Sequence, residues 1–468
     1  MLFSSIPFLY YFLPIVLLFY LIVPRSGKNI VLLIASLFFY SWGEPAYILV
    51  MLLSILIAYI LGLQIEKHSH NLKKARGFLI LSISCNLAFL LFFKYANFFI
   101  DNVRALTGLP LPLLSLALPV GISFYTFQIV SYTIDVYRQK VPAQKNILNF
   151  ATYVCLFPQL VAGPIVRYSD VAAELSCRTH TMEQISLGCR RFVLGLAKKV
   201  LIANMLGEFC SIFRESGEPS LLYYWLYALA FTLHIYFDFS GYSDMAIGLG
   251  HFFGFHFPEN FQYPYISKTI TEFWRRWHMS LGSWFRDYVY IPLGGSRVGR
   301  IKLFRNILVV WALTGFWHGA AWNFIFWGLL FAVLLIIEKT FLADALKKLP
   351  TVLSHIYVLF FVMLSFVLFN AESMAQALSD FKYMFGLGEL PLSTLETIYY
   401  GKSYFLLFFV GIIGATPLPS KFVRYCSSTS LGKRILPWLE APVLAILILL
   451  ITAYLVDGSF NPFLYFRF

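Results

Sequence analysis

The chain has 468 residues, of which 59% are hydrophobic, 19% aromatic and only 13% charged, with a mean hydropathy of +0.73. A soluble domain of this length does not tolerate that balance, so composition implies a polytopic membrane protein. The net charge of +13 sits in short basic patches between apolar runs, which sets membrane orientation and excludes nucleic acid as a partner.

Apolar runs near the twenty residues needed to cross a bilayer read at 7 to 24, 29 to 42, 45 to 63, 77 to 100, 113 to 137, 191 to 212, 220 to 248, 352 to 370, 403 to 420 and 439 to 457, or about ten spans. The N-terminus has no basic stretch before its apolar run, so it is expected to be a retained first span with its N-terminus outside, not a cleaved signal peptide. Arg25 and Lys28, then Lys67, Lys73, Lys74 and Arg76, then Arg138, Lys140 and Lys145 fall on alternate connections. The positive-inside rule puts these in the cytoplasm. The same count places Arg190, Arg191, Lys198, Lys199 and the loop of Lys421, Arg424, Lys433 and Arg434 inside, and both termini outside. The cysteines, Cys85, Cys155, Cys177, Cys189, Cys210 and Cys426, form no CxxC pair, so neither a disulfide framework nor a zinc site is indicated.

The stretch from 147 to 170 holds Pro158, Gly163 and Pro164, which forbid an undisturbed helix. It reads as re-entrant, lining a cavity, or as a kinked packing helix. The run at 220 to 248 ends in HIYFDFSGYSD, with His234 and Asp238 four apart on one helical face and Ser240, Tyr242 and Asp244 beyond. These are either polar anchors on a cavity wall or a helix end with its caps and ion pairs.

From Thr269 the pattern turns amphipathic. Thr269 and Glu272 suggest a capping box, and Ile270, Phe273, Trp274, Trp277, Leu281, Trp284, Phe285 and Tyr288 recur at helical spacing. The pattern predicts one interfacial helix to Tyr288, with Arg275, Arg276, Arg286 and Asp287 on its polar face and His278 at the border. On these residues alone His278 reads as an interfacial ring. The run from 303 to 338 is flanked by basic residues on both sides, so it should enter and leave on one side as a hairpin or tilted dip. His318 lies near its middle among Trp311, Thr314, Gly315, Trp317, Gly319, Trp322 and Asn323. An ionisable ring at that depth points to function, and the small residues allow close approach of a substrate or another helix.

Other chemistries fail on spacing. No HExxH or GxSxG occurs, no metal-ligand set appears, and the apparent phosphate-loop ending at Gly401, Lys402 and Ser403 carries Glu396 where glycine is required. A transporter is the rival from another class, but no internal repeat is visible.

Segments FLPIVLLFYLIVP, FPQLVAGPIVRYSD, YFDFSGYSD, FWRRWHMSLGSWFRDYVYIPLGGS, TGFWHGAAWNFIFWG and the terminal NPFLYFRF occur in an order that resembles the membrane-bound O-acyltransferase family. The resemblance is to its bacterial branch, which includes alginate and peptidoglycan O-acetyltransferases and a teichoic-acid D-alanylation protein. It implies an all-α polytopic fold with re-entrant and interfacial helices around a central tunnel, as one domain with an N-terminal part (1–146), a catalytic core (147–338) and C-terminal helices (339–468). It also implies acetyl transfer from a cytoplasmic thioester such as acetyl-CoA, without bound cofactor or metal, in a bacterial inner membrane, to an acceptor served by an extracytoplasmic SGNH-type partner. His318 would be the base or polarise the transfer, while His278 would orient the acyl group or stabilise the oxyanion. Asp238, Ser240, Tyr242, Trp284, Trp317 and Asn323 would line the cavity, and Arg275, Arg276 and Arg286 would meet the donor's phosphates. Tyr465, near the outer end, would either relay the acyl group or anchor the tail at the interface.

Overall fold

A computed structural model describes residues 1–161 and 163–458, and every regular element among them is helical. Tyr465 and the rest of NPFLYFRF lie outside the described residues.

Among the described residues, five helices are long and apolar enough to cross a membrane: Ile48–Lys67, Leu72–Thr107, Trp322–Lys348, Thr351–Asn370 and Ser430–Asp457. A sixth arises if Leu395–Ser403 and Phe405–Gly414, bent by 53° at their junction, are one broken span. A count of ten is not confirmed by length and composition. Of the remaining apolar runs, the one at 220 to 248 lies within a continuous 32-residue helix, Leu221–Phe252, and others are shorter or interrupted. The first becomes a π-turn, Phe8–Phe12, leading into Leu13–Ile22, and the run at 113 to 137 is helical only over Ile122–Tyr137. The run at 191 to 212 is divided by a π-helical stretch, Lys198–Asn204.

The chain forms two compact units, Met1–Phe192 with Met245–Glu259, and Val193–Asp244 with Asn260–Phe468. In the first, the proline-bearing stretch is broken as expected, into Ile147–Cys155, Phe157–Leu160 and Tyr168–Ser176. Its first break is held from outside: the Phe157 N–H donates to Ser36 Oγ at 3.0 Å, and the Phe157 ring lies 5.3 Å from Phe12 and 5.6 Å from Phe39. Gly121 starts the Ile122–Tyr137 helix at φ +74°, where a Cβ would lie 2.6 Å from the Leu160 carbonyl oxygen. Only glycine accepts both the left-handed backbone and that approach.

The second unit is built on an antiparallel pair, Arg300–His318 and Trp322–Ile337. A Cβ on Gly315 would lie 2.3 Å from the Phe324 carbonyl oxygen, and one on Gly328 would lie 2.3 Å from that of Trp311. The two contacts run in opposite senses along the partner helices, which makes the dip a tight hairpin. Lipid supplies little hydrophobic drive between helices, so backbone proximity at small residues is how such a pair gains packing energy. The glycines around His318 therefore serve helix approach.

Candidate functional site

His318 is the last residue of the first hairpin helix, directly before the Gly319–Ala321 turn. It is buried, with its ring 4.9 Å from Trp317, 5.0 Å from Trp327 and 5.3 Å from Phe369. Asn323, across the turn, donates to the Ala371 carbonyl at 2.9 Å and to that of Phe369 at 3.4 Å. It acts on the site by holding the Phe369 segment against the His318 ring.

The expected single helix over Thr269 to Tyr288 is broken at His278. Ile270–Arg276 ends there, Met279–Phe285 begins there, and a π-turn, Arg286–Tyr290, follows. His278 itself has φ 45°, ψ 53°, a left-handed conformation that costs a non-glycine residue about 1–3 kcal/mol and tends to occur at functional sites. The cause of the break lies in residues 260–262, which intercept the helix ladder. Gln262 N–H takes the Arg276 carbonyl at 2.9 Å, Met279 N–H turns to the Asn260 carbonyl at 2.9 Å, and Ser280 N–H turns to Asn260 Oδ1 at 3.2 Å.

Asn260 also sets the chemistry of the ring. A backbone N–H can only donate, so the Asn260 side-chain atom facing Ser280 N must be the carbonyl oxygen. That oxygen also accepts from Ser280 Oγ at 2.9 Å and lies 3.1 Å from His278 Nδ1. Nδ1 therefore carries the hydrogen, and the lone pair of the neutral ring is on Nε2. His278 is 1% exposed and lies outside the candidate spans. Burial lowers its imidazole to about 3, so the ring is neutral at physiological pH.

The two histidines are brought together around one indole. Trp317 lies 6.0 Å from the His278 ring and 4.9 Å from that of His318, and Phe239 packs edge-on against His278 at 4.7 Å. Their elements are also fastened by Glu338, at the far end of the hairpin. Its carboxylate accepts from Ile270 N–H at 2.5 Å, Thr271 N–H at 2.9 Å and Thr271 Oγ at 2.6 Å. This caps the helix that leads to His278, with a negative charge where the helix dipole favours one. The Thr269–Glu272 box is half formed: Thr269 Oγ accepts from Glu272 N–H at 2.9 Å, but Glu272 turns to Lys268 N–H at 2.9 Å and to Arg276.

The other expected residues divide by environment. Asp238 is paired with Lys199 at 2.5 Å, each side chain 1% exposed. Lys199 is thus a buried ion-pair partner in the π-helical stretch. Ser240 and Tyr242 are buried on the same helix as Asp238. Trp284 is buried, with its ring 5.5 Å from Phe285 and 5.2 Å from Tyr288. Of the arginines, Arg276 is committed to Glu272 and to the Gln262 carbonyl and Arg286 to Asp287, while Arg275 is exposed. Asn260, Lys199 and Glu338 escaped sequence reasoning as partners, since each acts on residues 18 or more positions away.

A family model described as "MBOAT, membrane-bound O-acyltransferase family" matches residues 34–379. The chain is 39% identical, over the full length of both proteins, to a probable alginate O-acetylase AlgI of Pseudomonas putida. It is 42% identical to the probable alginate O-acetylase AlgI of Azotobacter vinelandii, over 85% of this chain and 80% of that one. It is 33% identical to a peptidoglycan O-acetyltransferase of Helicobacter pylori, over 100% of this chain and 98% of that one. With two buried imidazoles flanking one indole inside an all-helical polytopic frame, the chain belongs to the membrane-bound O-acyltransferase family.

Proposed function

We propose that the protein is an O-acetyltransferase that takes an acetyl group from a cytoplasmic thioester, acetyl-CoA, and delivers it across the membrane for O-acetylation of an exopolysaccharide of the alginate kind. The full-length similarity to proteins named alginate O-acetylase supports the substrate class. The single observation that carries the chemistry is the pairing of His278 and His318 around Trp317.

An acceptor hydroxyl attacks the thioester carbonyl, the carbon–sulfur bond breaks, and the hydroxyl proton must reach the departing sulfur. His318 takes that proton and returns it to the thiolate. His278, in its Nδ1–H form, presents a lone pair at Nε2 and is too weak a base to be protonated outright. It orients the substrate by accepting a hydrogen bond. This tautomer favours orientation over the oxyanion role, which needs an N–H donor. Arg275, exposed and outside any ion pair among the described residues, suits a donor phosphate better than Arg276 or Arg286.

The protein works as one domain in the bacterial inner membrane with both termini outside, where an SGNH-type partner completes the transfer. Tyr465 receives the acyl group on the outer side and hands it on. Purified His318→Ala in proteoliposomes with labelled acetyl-CoA should lose about 10²–10⁴-fold in acetyl transfer. Full activity in that variant would favour a transport role instead. Tyr465→Phe should abolish polymer acetylation while leaving thioester consumption measurable.

The full-length similarity to the Helicobacter pylori protein supports a second reading, acylation of peptidoglycan. Supplying alginate-like polymer and peptidoglycan fragments in parallel to the reconstituted system separates the two.

A further inference from the structure

Within the first unit, cations converge on one phenol. Tyr20 ends an apolar helix, Leu13–Ile22, whose Phe19, Leu21 and Ile22 are exposed; Tyr20 itself is 1% exposed. Its hydroxyl donates to the Phe253 carbonyl at 2.8 Å, which uses its only hydrogen. It must therefore accept from Arg178 Nε at 3.2 Å and from His180 Nε2 at 2.9 Å. Lys28 Nζ sits 4.5 Å from the centre of the Tyr20 ring, and the Arg178 guanidinium lies 4.5 Å from the ring of Phe255. Arg25 begins the short turn before Lys28.

The neighbouring acid does not neutralise this group. The Glu174 carboxylate is engaged by His256, through Nδ1 at 2.6 Å and N–H at 3.0 Å, and Glu174 offers Arg178 only its main-chain oxygen at 3.0 Å. Among the described residues, Arg25, Lys28 and Arg178 are in no ion pair with a carboxylate. Burial, with Lys28 and Arg178 beside it, lowers the His180 imidazole below its ordinary range, so the cluster already resists a further positive charge. The positive-inside rule explains cations on this side of the membrane. It does not explain half-buried cations gathered on a single ring, where each lowers the cost of admitting an anion.

We infer that Arg178, held by the Tyr20 hydroxyl, Lys28 over the Tyr20 ring and Arg25 in the adjoining turn form a binding site for a phosphate group at the membrane boundary. Arg178 spends Nε and Nη1 on Tyr20 and Glu174 and retains Nη2 for a phosphate oxygen, and the Lys28 ammonium supplies a point charge beside it. The exposed apolar residues next to Tyr20 place acyl chains within reach, so the headgroup of an anionic phospholipid is the favoured source. A soluble phosphate ester is the other.

The test uses the full-length protein purified in detergent, with phosphatidylglycerol titrated in one arm and coenzyme A in the other, each followed by native mass spectrometry. Lys28→Gln with Arg178→Gln should weaken phosphatidylglycerol binding at least ~10-fold by removing two phosphate contacts. Weakening confined to the coenzyme A arm keeps the site and assigns it to a soluble phosphate. Lys73→Gln with Lys74→Gln, both exposed in the same charge class, should leave both arms unchanged. Equal weakening by the two double variants would mean that net charge alone is being measured and would overturn the site, as would unchanged binding in both arms for the first. Arg25→Gln, on an exposed turn, gives a variant that keeps the Tyr20 hydrogen bonds should the double variant fail to fold; it too should weaken one arm, and no change in either would count against the site.

Discussion

The carboxamide oxygen of Asn260 lies 3.1 Å from His278 Nδ1 while accepting two hydrogen bonds from Ser280, one of them from a main-chain N–H. Asn260 thereby acts as a positioning residue for the imidazole. Asn260→Ala should lower acetyl transfer about 10–100-fold, the usual effect of removing the group that orients a functional histidine. Asn260→Asp keeps the acceptor but adds a negative charge that favours the imidazolium, so its activity should fall further on the acid side than that of the native protein. A variant with merely damaged folding would lose activity evenly across pH, and the pH profile distinguishes the two.

Stability should fall in acid on account of the same ring. The His278 imidazole is held at about 3 in the folded protein by burial, whereas an unfolded histidine titrates near 6.5. Between those values the unfolded chain binds a proton that the folded chain refuses, so folding weakens as pH drops, by up to about 1.4 kcal/mol per pH unit, and is unaffected by this group above about 7. Thermal unfolding of His278→Gln in detergent should show a shallower decline between pH 6.5 and 4 than the native protein.

The Lys199–Asp238 pair, 2.5 Å apart and almost fully enclosed, should behave as a unit. Removing one partner leaves the other charge buried, at a cost of about 3–5 kcal/mol. Lys199→Met and Asp238→Leu should each lower the melting temperature sharply, and the double replacement should recover most of the loss. Additive losses in the double variant would mean the two groups are not coupled.

Hairpin closure can be probed at its glycines. Gly315→Ala or Gly328→Ala puts a methyl group 2.3 Å from a backbone oxygen, which the helices can accommodate only by separating, at about 1–3 kcal/mol. Because His318 ends the first of these helices, activity should fall along with stability. Gly77→Ala, with nothing within 4 Å of the added carbon, should be neutral or slightly stabilising.

The elements that carry the candidate site were legible from residue spacing, the place of His278 in it was not, and what was missed has a common cause. The aromatic stripe from Ile270 to Tyr288 correctly announced helix, and the basic flanks of the 303 to 338 run announced a hairpin. The break at His278 left no trace in that periodicity, because its donors are captured by residues 260–262, in a preceding loop. The ion pair of Lys199 was not visible to a charge count, because its partner Asp238 lies 39 positions later. Gly315 was legible as small, but its partner, the Phe324 carbonyl, appears only once the hairpin closes. Local pattern reports what a segment can do alone; each of these features is imposed by a distant segment.

Glu338 gives this a temporal meaning. The N–H groups of Ile270 and Thr271 find their acceptor 68 and 67 residues further along the chain, at the far end of the hairpin that carries His318. That cap cannot form before the chain has been made through residue 338, so the helix leading into His278 gains its native acceptor only with the hairpin. One carboxylate thereby ties the element of His278 to the hairpin of His318 at a point distant from both rings.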